Sequence, residues 1–217
     1  MLLAEDLLLL VTDNASGRLS VPSAQVDAAL GGANMIELSM MGKVDLSGDG
    51  DQAKPGRIVV RDPSPAGDEV LDAALEVLIK RQGSKPYAVI RPLGRNVRQA
   101  LYQRLAASGA IRPGRGSALG IFPTRTWPAQ DAHHEEQVRQ LVTQALVQQT
   151  APNARTAALV ALLHALRCEH KIIDPRPYHL SRRQLRERAA QIGKGNWAAE
   201  AVRKVISDMN SAGAGAG

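Results

Sequence analysis

The chain has 217 residues, 44% hydrophobic and 22% charged, with 27 basic against 21 acidic side chains and a formal charge of +6. This describes one soluble globular domain with a sizeable core, and the positive balance favours a polyanionic partner. Aromatic residues are only 3% of the total, which argues against a base-stacking nucleic-acid platform and an aromatic-lined β-sandwich. The single cysteine, Cys168, excludes a disulfide framework and any CxxC metal or redox motif.

The opening MLLAEDLLLLV is interrupted by Glu5 and Asp6, and its unbroken apolar run, Leu7 to Val11, is far short of the ~20 residues that span a bilayer. With no basic segment before it, the chain reads as cytosolic, meeting a membrane only from its surface. Glu5 to Val11 forms a short helix or strand, closed by the turn-rich Asp13-Asn14-Ala15-Ser16-Gly17. Pro22 and Ser23 open a helix to about Met41, with Val26, Leu30, Ile36 and Met40 as apolar positions. Gly31-Gly32 in its middle calls for close helix packing or a kink. Gly42 to Leu46 and Arg57 to Arg61 pair as a β-hairpin around a long loop.

After Pro65-Ala66-Gly67-Asp68, a periodic helix places Val70, Leu71, Ala74, Leu75 and Leu78 on one face. A further helix runs from about Leu93 to Ala107, with Val97, Leu101 and Leu105 inward and Arg95, Arg98 and Tyr102 on its polar face. Ile111 to Phe122 reads as a second hairpin, turning at Pro113-Gly114 or with Gly114 to Ser117 as a flexible tip. Helices follow at about 134–149, 153–168, 181–191 and 197–209, Asn153 serving as an N-cap. No βαβ alternation occurs, so the fold class is mainly α: a single domain over residues 1–210 with two β-hairpins. Residues 211–217, SAGAGAG, are expected to be a disordered tail.

Charge is unevenly placed. From Val77 to Gln130 there is no Asp or Glu, yet ten basic residues: Lys80, Arg81, Lys85, Arg91, Arg95, Arg98, Arg104, Arg112, Arg115 and Arg125. Ordinary solvated surfaces mix signs, so a stretch of one sign suggests a surface held for an anion, unless acids from elsewhere neutralise it in the fold. Within it, Arg95 and Arg98 at i and i+3 near a helix N-terminus set two guanidinium forks on one face, where free N–H groups and the helix dipole also attract anions. The plainer reading is a solvated helix face.

Other chemistry finds little support. His164, Cys168, His170 and His179 are residue types a zinc site accepts, but His164 and Cys168 also fit the apolar face of their helix beside Leu159, Leu162 and Leu163. There is no G-x-S-x-G and no phosphate-cradling glycine loop, and nothing in the spacing of Glu5, Asp6 and Glu37 marks acid/base work. No enzyme, metal or cofactor is expected.

Four blocks in this order and spacing carry a resemblance: Leu3-Ala4-Glu5-Asp6-Leu7-Leu8-Leu9-Leu10; Met35-Ile36-Glu37-Leu38 with Gly42-Lys43-Val44; Pro65-Ala66-Gly67-Asp68 with Leu71-Asp72 and Ala74-Leu75; and Leu93-Gly94-Arg95-Asn96-Val97-Arg98. From about Leu2 to Ala201 the chain resembles the Golgi phosphoprotein 3 family, as a short member of bacterial type. The resemblance implies a central helix bundle with a protruding hairpin, and a non-enzymatic peripheral protein that binds phosphatidylinositol 4-phosphate on cytosolic membrane faces. Arg95 and Arg98 match the family's R-x-x-R at the lipid headgroup, whereas Pro22 and Gly31 stand at its Trp and its other Arg. Arg91 and Lys85, in the same acid-free stretch, are assigned to that headgroup surface. The family hairpin, linked to self-association, falls at roughly Arg115 to Trp127; Leu119, Ile121 and Phe122 are its candidates for membrane insertion or homo-oligomerisation, or else pack on the domain's own core.

A basic residue near an anionic leaflet contributes about 1 kcal/mol, so three to five of them give roughly 3–5 kcal/mol and call for a second anchor. The expected partner is therefore a phosphoinositide or other anionic lipid at a membrane surface. Two alternatives stand beside it. Helix followed by hairpin occurs twice (about 22–61 and 93–122), the outline of a winged-helix DNA-binding protein, although residues 1–76 hold 13 acidic against 5 basic side chains. An adaptor gripping acidic protein tails is the other.

Overall fold

Leucine- and alanine-rich runs at helical spacing carry most of the chain into helix, and a computed structural model describing residues 1–118 and 122–214 shows how they assemble. The first is α1, Leu3–Val11, in which every residue is buried, Glu5 and Asp6 included. The apolar run that fits a helix or a strand is thus a central helix, its start fixed by Glu5 Oε2 accepting from the Leu2 N–H at 2.7 Å. Around it stand α2 (Ser23–Met40), α3 (Glu69–Lys80), α4 (Pro86–Gly94), α5 (Val97–Ala107), α6 (His133–Val147), α7 (Ala154–Ala165), the one-turn α8 (Glu169–Ile172), α9 (Arg182–Ile192) and α10 (Trp197–Ala214). Their apolar faces merge into one core that includes Leu7, Leu8, Leu30, Met35, Ile90, Leu101, Leu162 and Val202.

Helix α2 is the hub, packed against α1, α3, α4, α5, α7 and α10. Its glycine pair answers the question the sequence poses, because α2 runs unbroken and close packing accounts for both residues. A Cβ on Gly31 lies 2.6 Å from the Ile90 carbonyl oxygen and 2.7 Å from the Gly94 nitrogen, and one on Gly32 overlaps the Val202 side chain. Gly94 returns the contact, since a Cβ there collides with the Asp27 carbonyl. The α2 and α4 backbones therefore touch directly, and any larger side chain forces them apart.

Both expected hairpins form. Strands β1 (Val44–Leu46) and β2 (Ile58–Val60) pair antiparallel with Asp45 opposite Val59. Their loop is fastened by Arg61, whose Nη1 and Nη2 donate to the two Asp51 oxygens at 2.6 and 2.8 Å. Strands β3 (Gly114–Ala118) and β4 (Phe122–Thr126) pair with Gly114 opposite Thr126 and Ala118 opposite Phe122. The Pro113-Gly114 turn and the Gly114 to Ser117 tip are both misreadings: Gly114 to Ala118 form a strand, and the hairpin falls where the family resemblance indicates. Leu119 and Ile121 lie outside the described residues, and Phe122 is described only by its backbone place in β4. At the C-terminus α10 continues to Ala214, four residues into the segment expected to be a tail, and residues 215–217 lie outside the description.

The single helix expected over 93–107 is two. Chain direction changes at Arg95, extended at φ −66° and ψ 124°, and at Asn96, left-handed at φ 62°. Asparagine enters that region more readily than most residues, and Gly94, pressed on α2, leaves no room to carry α4 onward.

Candidate anion-binding site

The sequence candidates fall on this α4–α5 turn. Pro86 opens α4, its missing N–H harmless at the first helical position. Lys85 precedes it, Arg91 lies in the last turn and Arg95 follows at the C-terminal boundary, so the three are strung along about 15 Å of helix axis. All three side chains are exposed, and among the described residues none is within ion-pair distance of a carboxylate. The Lys85 and Lys204 ammonium groups stand 5.9 and 5.2 Å from the Tyr87 ring centroid, adding a cation from α10 to this face.

Arg98 is placed differently. It sits in the first turn of α5, and its Nε donates to Asp27 Oδ1 at 2.7 Å and its Nη2 to Oδ2 at 3.4 Å. The two forks expected on one helix face are therefore separated by the left-handed turn. One fork is exposed and free of carboxylate; the other is half-buried and held by α2. Sequence spacing missed this because Asp27 is 71 residues away.

Beside Arg98 a cavity of about 300 Å³ is lined by Asp27, Asn96, Arg98, Gln99, Tyr102, Arg125 and Trp127. Asn96, which lines this cavity, makes no side-chain cap bond to α5. The far wall comes from the foot of β4. Trp127 stacks on Tyr102 with centroids 4.9 Å apart and planes 12° from parallel, and its backbone N–H donates to the Gly17 carbonyl at 2.9 Å. Gly17, at φ 66°, lets the loop after α1 lie directly against the Trp127–Pro128 backbone. The Tyr102 hydroxyl lies 3.1 Å from Thr12 Oγ1, and burial raises its pKa. Neither Arg125 nor Trp127 is a site candidate by sequence; the only signal for Arg125 is its place in the acid-free stretch.

The remaining titratable clusters have structural partners. Asp6 accepts from Arg155 at 2.9 and 3.0 Å and lies 2.7 Å from His134 Nε2, while Glu37 accepts from the same Arg155 at 2.8 Å and from the Leu3 N–H. Glu5 pairs with Arg104, which also reaches Asp68, the N-cap of α3. The acidic residues of the first two sequence blocks thus bind helices together. His164 Nδ1 lies 2.8 Å from buried Glu169, and burial pushes the Cys168 thiol up to about 12. Among the described residues no three His, Cys, Asp or Glu side chains gather as a metal site, and no helix is long and apolar enough to cross a membrane.

A search of curated proteins returns no match. The family model for Golgi phosphoprotein 3 (GPP34) matches residues 3–209, nearly the whole chain, including every helix that frames the α4–α5 turn.

Proposed function

The chain belongs to the Golgi phosphoprotein 3 family, and on that premise we propose that it is a non-enzymatic, peripheral membrane protein that binds anionic lipid headgroups, phosphoinositides among them, from the cytoplasmic side. The observation that carries this reading is the row Lys85, Arg91 and Arg95, exposed along α4 and, among the described residues, without a carboxylate partner, inside a stretch devoid of acid. Such cations attract phosphate, and Arg offers the bidentate fork that suits it. Arg98 joins them only by exchanging Asp27 for the ligand, so its contribution is smaller than its place in the R-x-x-R suggests.

Three free cations give about 3 kcal/mol at an anionic surface, a weak and salt-sensitive anchor. The second contribution is assigned, on sequence grounds, to Leu119, Ile121 and Phe122 of the hairpin, by insertion or by self-association that doubles the contacts. Acidic protein tails on the same membrane are further partners for the basic face.

Flotation with phosphatidylcholine vesicles containing phosphatidylserine or phosphatidylinositol 4-phosphate tests the reading. The triple variant Lys85→Gln, Arg91→Gln, Arg95→Gln is expected to lose on the order of a hundredfold in partitioning. A triple variant that floats like the unaltered protein removes the α4 face from membrane binding.

A further inference from the structure

We propose that the cleft enclosed by α7, α9 and α10 is a binding site for a free acidic α-amino acid, in which Lys194, Arg203 and Arg167 take its two carboxylates and Glu200 and His164 take its ammonium group. The cleft shares no lining residue with the row Lys85, Arg91 and Arg95, and it stands or falls without the headgroup reading.

Charge selects the ligand. A cavity of about 210 Å³ is lined by His164 of α7, Lys194 just after α9, and Glu200 and Arg203 of α10, its remaining lining being alanines and Gly193. It shares Ala165, Glu200 and Arg203 with a wider cavity of about 620 Å³ that continues along α10 and takes in Arg167. Among the described residues Lys194, Arg203 and Arg167 have no carboxylate within ion-pair distance, and Glu200 has no cation. Exposure alone does not account for this, because on the same helix Lys204 closes on Asp208 at 3.7 Å. Three cations and one carboxylate left open along one cleft complement a ligand with two carboxylates and one ammonium group. A plain dianion leaves Glu200 facing like charge, and an alkylamine leaves the guanidinium groups unmatched.

His164 is the prearranged part. Its Nδ1 lies 2.8 Å from Glu169 Oε1, and the Glu169 side chain is only 2% exposed. A carboxylate accepts and does not donate, so Nδ1 carries the proton and Nε2 is left as an acceptor on a ring that lines the cleft. With the ring held at its other nitrogen, that acceptor needs no further ordering to meet an ammonium group. Arg167 is the strained part. It follows the C-cap of α7 at φ 53°, where helices commonly end on glycine, and its exposed side chain lines the wider cavity. Size agrees with this division. The inner cavity is below the roughly 300 Å³ at which most small-molecule sites begin, which suits the compact ammonium–carboxylate head, and the wider one has room for the side-chain carboxylate.

Calorimetric titration of the full chain with L-glutamate tests the assignment, with glutarate, L-glutamine and L-lysine as comparisons. L-Glutamate is expected to bind. Glutarate lacks the ammonium group and L-glutamine the second carboxylate, and each is expected to bind about tenfold or more weakly, the size of one charge-assisted hydrogen bond. L-Lysine, with the opposite side-chain charge, is expected not to bind. Arg203→Gln and Glu200→Gln alter exposed positions and leave the core face of α10 untouched. Arg203→Gln is expected to weaken L-glutamate about tenfold or more. Glu200→Gln is expected to weaken L-glutamate by a similar factor while binding glutarate at least as tightly as the unaltered protein does, a reversal that loss of folding does not produce. Arg167→Gly relieves the backbone, so weakened L-glutamate binding is expected with no fall in melting temperature and no change for L-glutamine. Absence of binding at millimolar L-glutamate, glutarate or L-lysine binding as tightly as L-glutamate, or full affinity in Arg203→Gln overturns the site.

Discussion

Replacing Arg155 by methionine removes the guanidinium that ties α7 to α1 and α2 while keeping most of the side chain's bulk. Four donations are lost: Nε and Nη2 to Asp6 Oδ2 at 3.0 and 2.9 Å, Nη1 to Glu37 Oε1 at 2.8 Å, and Nη2 to the Met1 carbonyl at 2.7 Å. Burial alone depresses this guanidinium's pKa, yet hydrogen bonds and charges from Glu37 and Asp6 outweigh it and hold Arg155 above its ordinary value. The carboxylates left behind are 4% and 15% exposed. Stripping one partner from a buried pair costs about 3–5 kcal/mol, and the one-third exposure of Arg155 places this case near the lower figure. For a chain of 217 residues, about 3 kcal/mol corresponds to roughly 6–12 °C in Tm. Urea unfolding of Arg155→Met, Asp6→Asn and the double variant gives the coupling directly, expected at about 1–3 kcal/mol because both substitutions act on one contact. A loss below about 1 kcal/mol for Arg155→Met, or strictly additive single effects, refutes the claim that this arginine neutralises the buried pair.

Gly31→Ala is expected to lower stability by about 1–3 kcal/mol, because its Cβ meets backbone at Ile90 and Gly94 that cannot rotate away; thermal unfolding measures it. Carboxyl NMR titration is expected to place Asp51 at about 2, lowered first by the Arg61 hydrogen bond and then by the Gly48 N–H. Because that pKa is depressed, the Asp51–Arg61 contact supports the β1–β2 loop above the ordinary value of 3.8 and is lost as pH falls through about 2. In Arg61→Gln the Asp51 midpoint is expected to move back up towards 3.8.

What local chemistry dictates was readable. The mainly α fold, the periodic face of α3 and the Asn153 cap of α7 follow from spacing and side-chain type, and the cap is there: Asn153 Oδ1 accepts from the Thr156 N–H at 2.8 Å. The break at Arg95–Asn96 had its signals, Pro86 as a helix opener and Asn96 as a left-handed residue, but the apolar period of Val97, Leu101 and Leu105 extends back smoothly to Leu93 and masks the turn. The bounds of the second hairpin were misplaced because Pro-Gly is ordinarily a turn, whereas here Gly114 is the strand residue that lets Thr126 and Pro128 come close. Long-range pairs left no trace. Nothing in the spacing predicts that Glu37 meets Arg155, that Asp27 takes one of the two R-x-x-R guanidinium groups, or that Trp127 stacks on Tyr102. Those contacts decide which cations stay available, so the list of basic residues was legible and their availability was not.

The glycine seam has a kinetic consequence. With Gly31 and Gly94 pressing two backbones together, Asp27 and the Arg95–Asn96 corner move as one block, and no hinge lies between them. The side chain of Arg95 on that corner is exposed, and exposed side chains reorient within picoseconds to nanoseconds without any movement of the backbone. On the proposed reading of this face as a headgroup surface, arrival would run at the pace of diffusion and departure at the pace of breaking a few polar contacts. A protein so built, on the proposed membrane-binding reading, samples a surface in brief, repeated visits, and lengthens its stay by engaging more contacts at once.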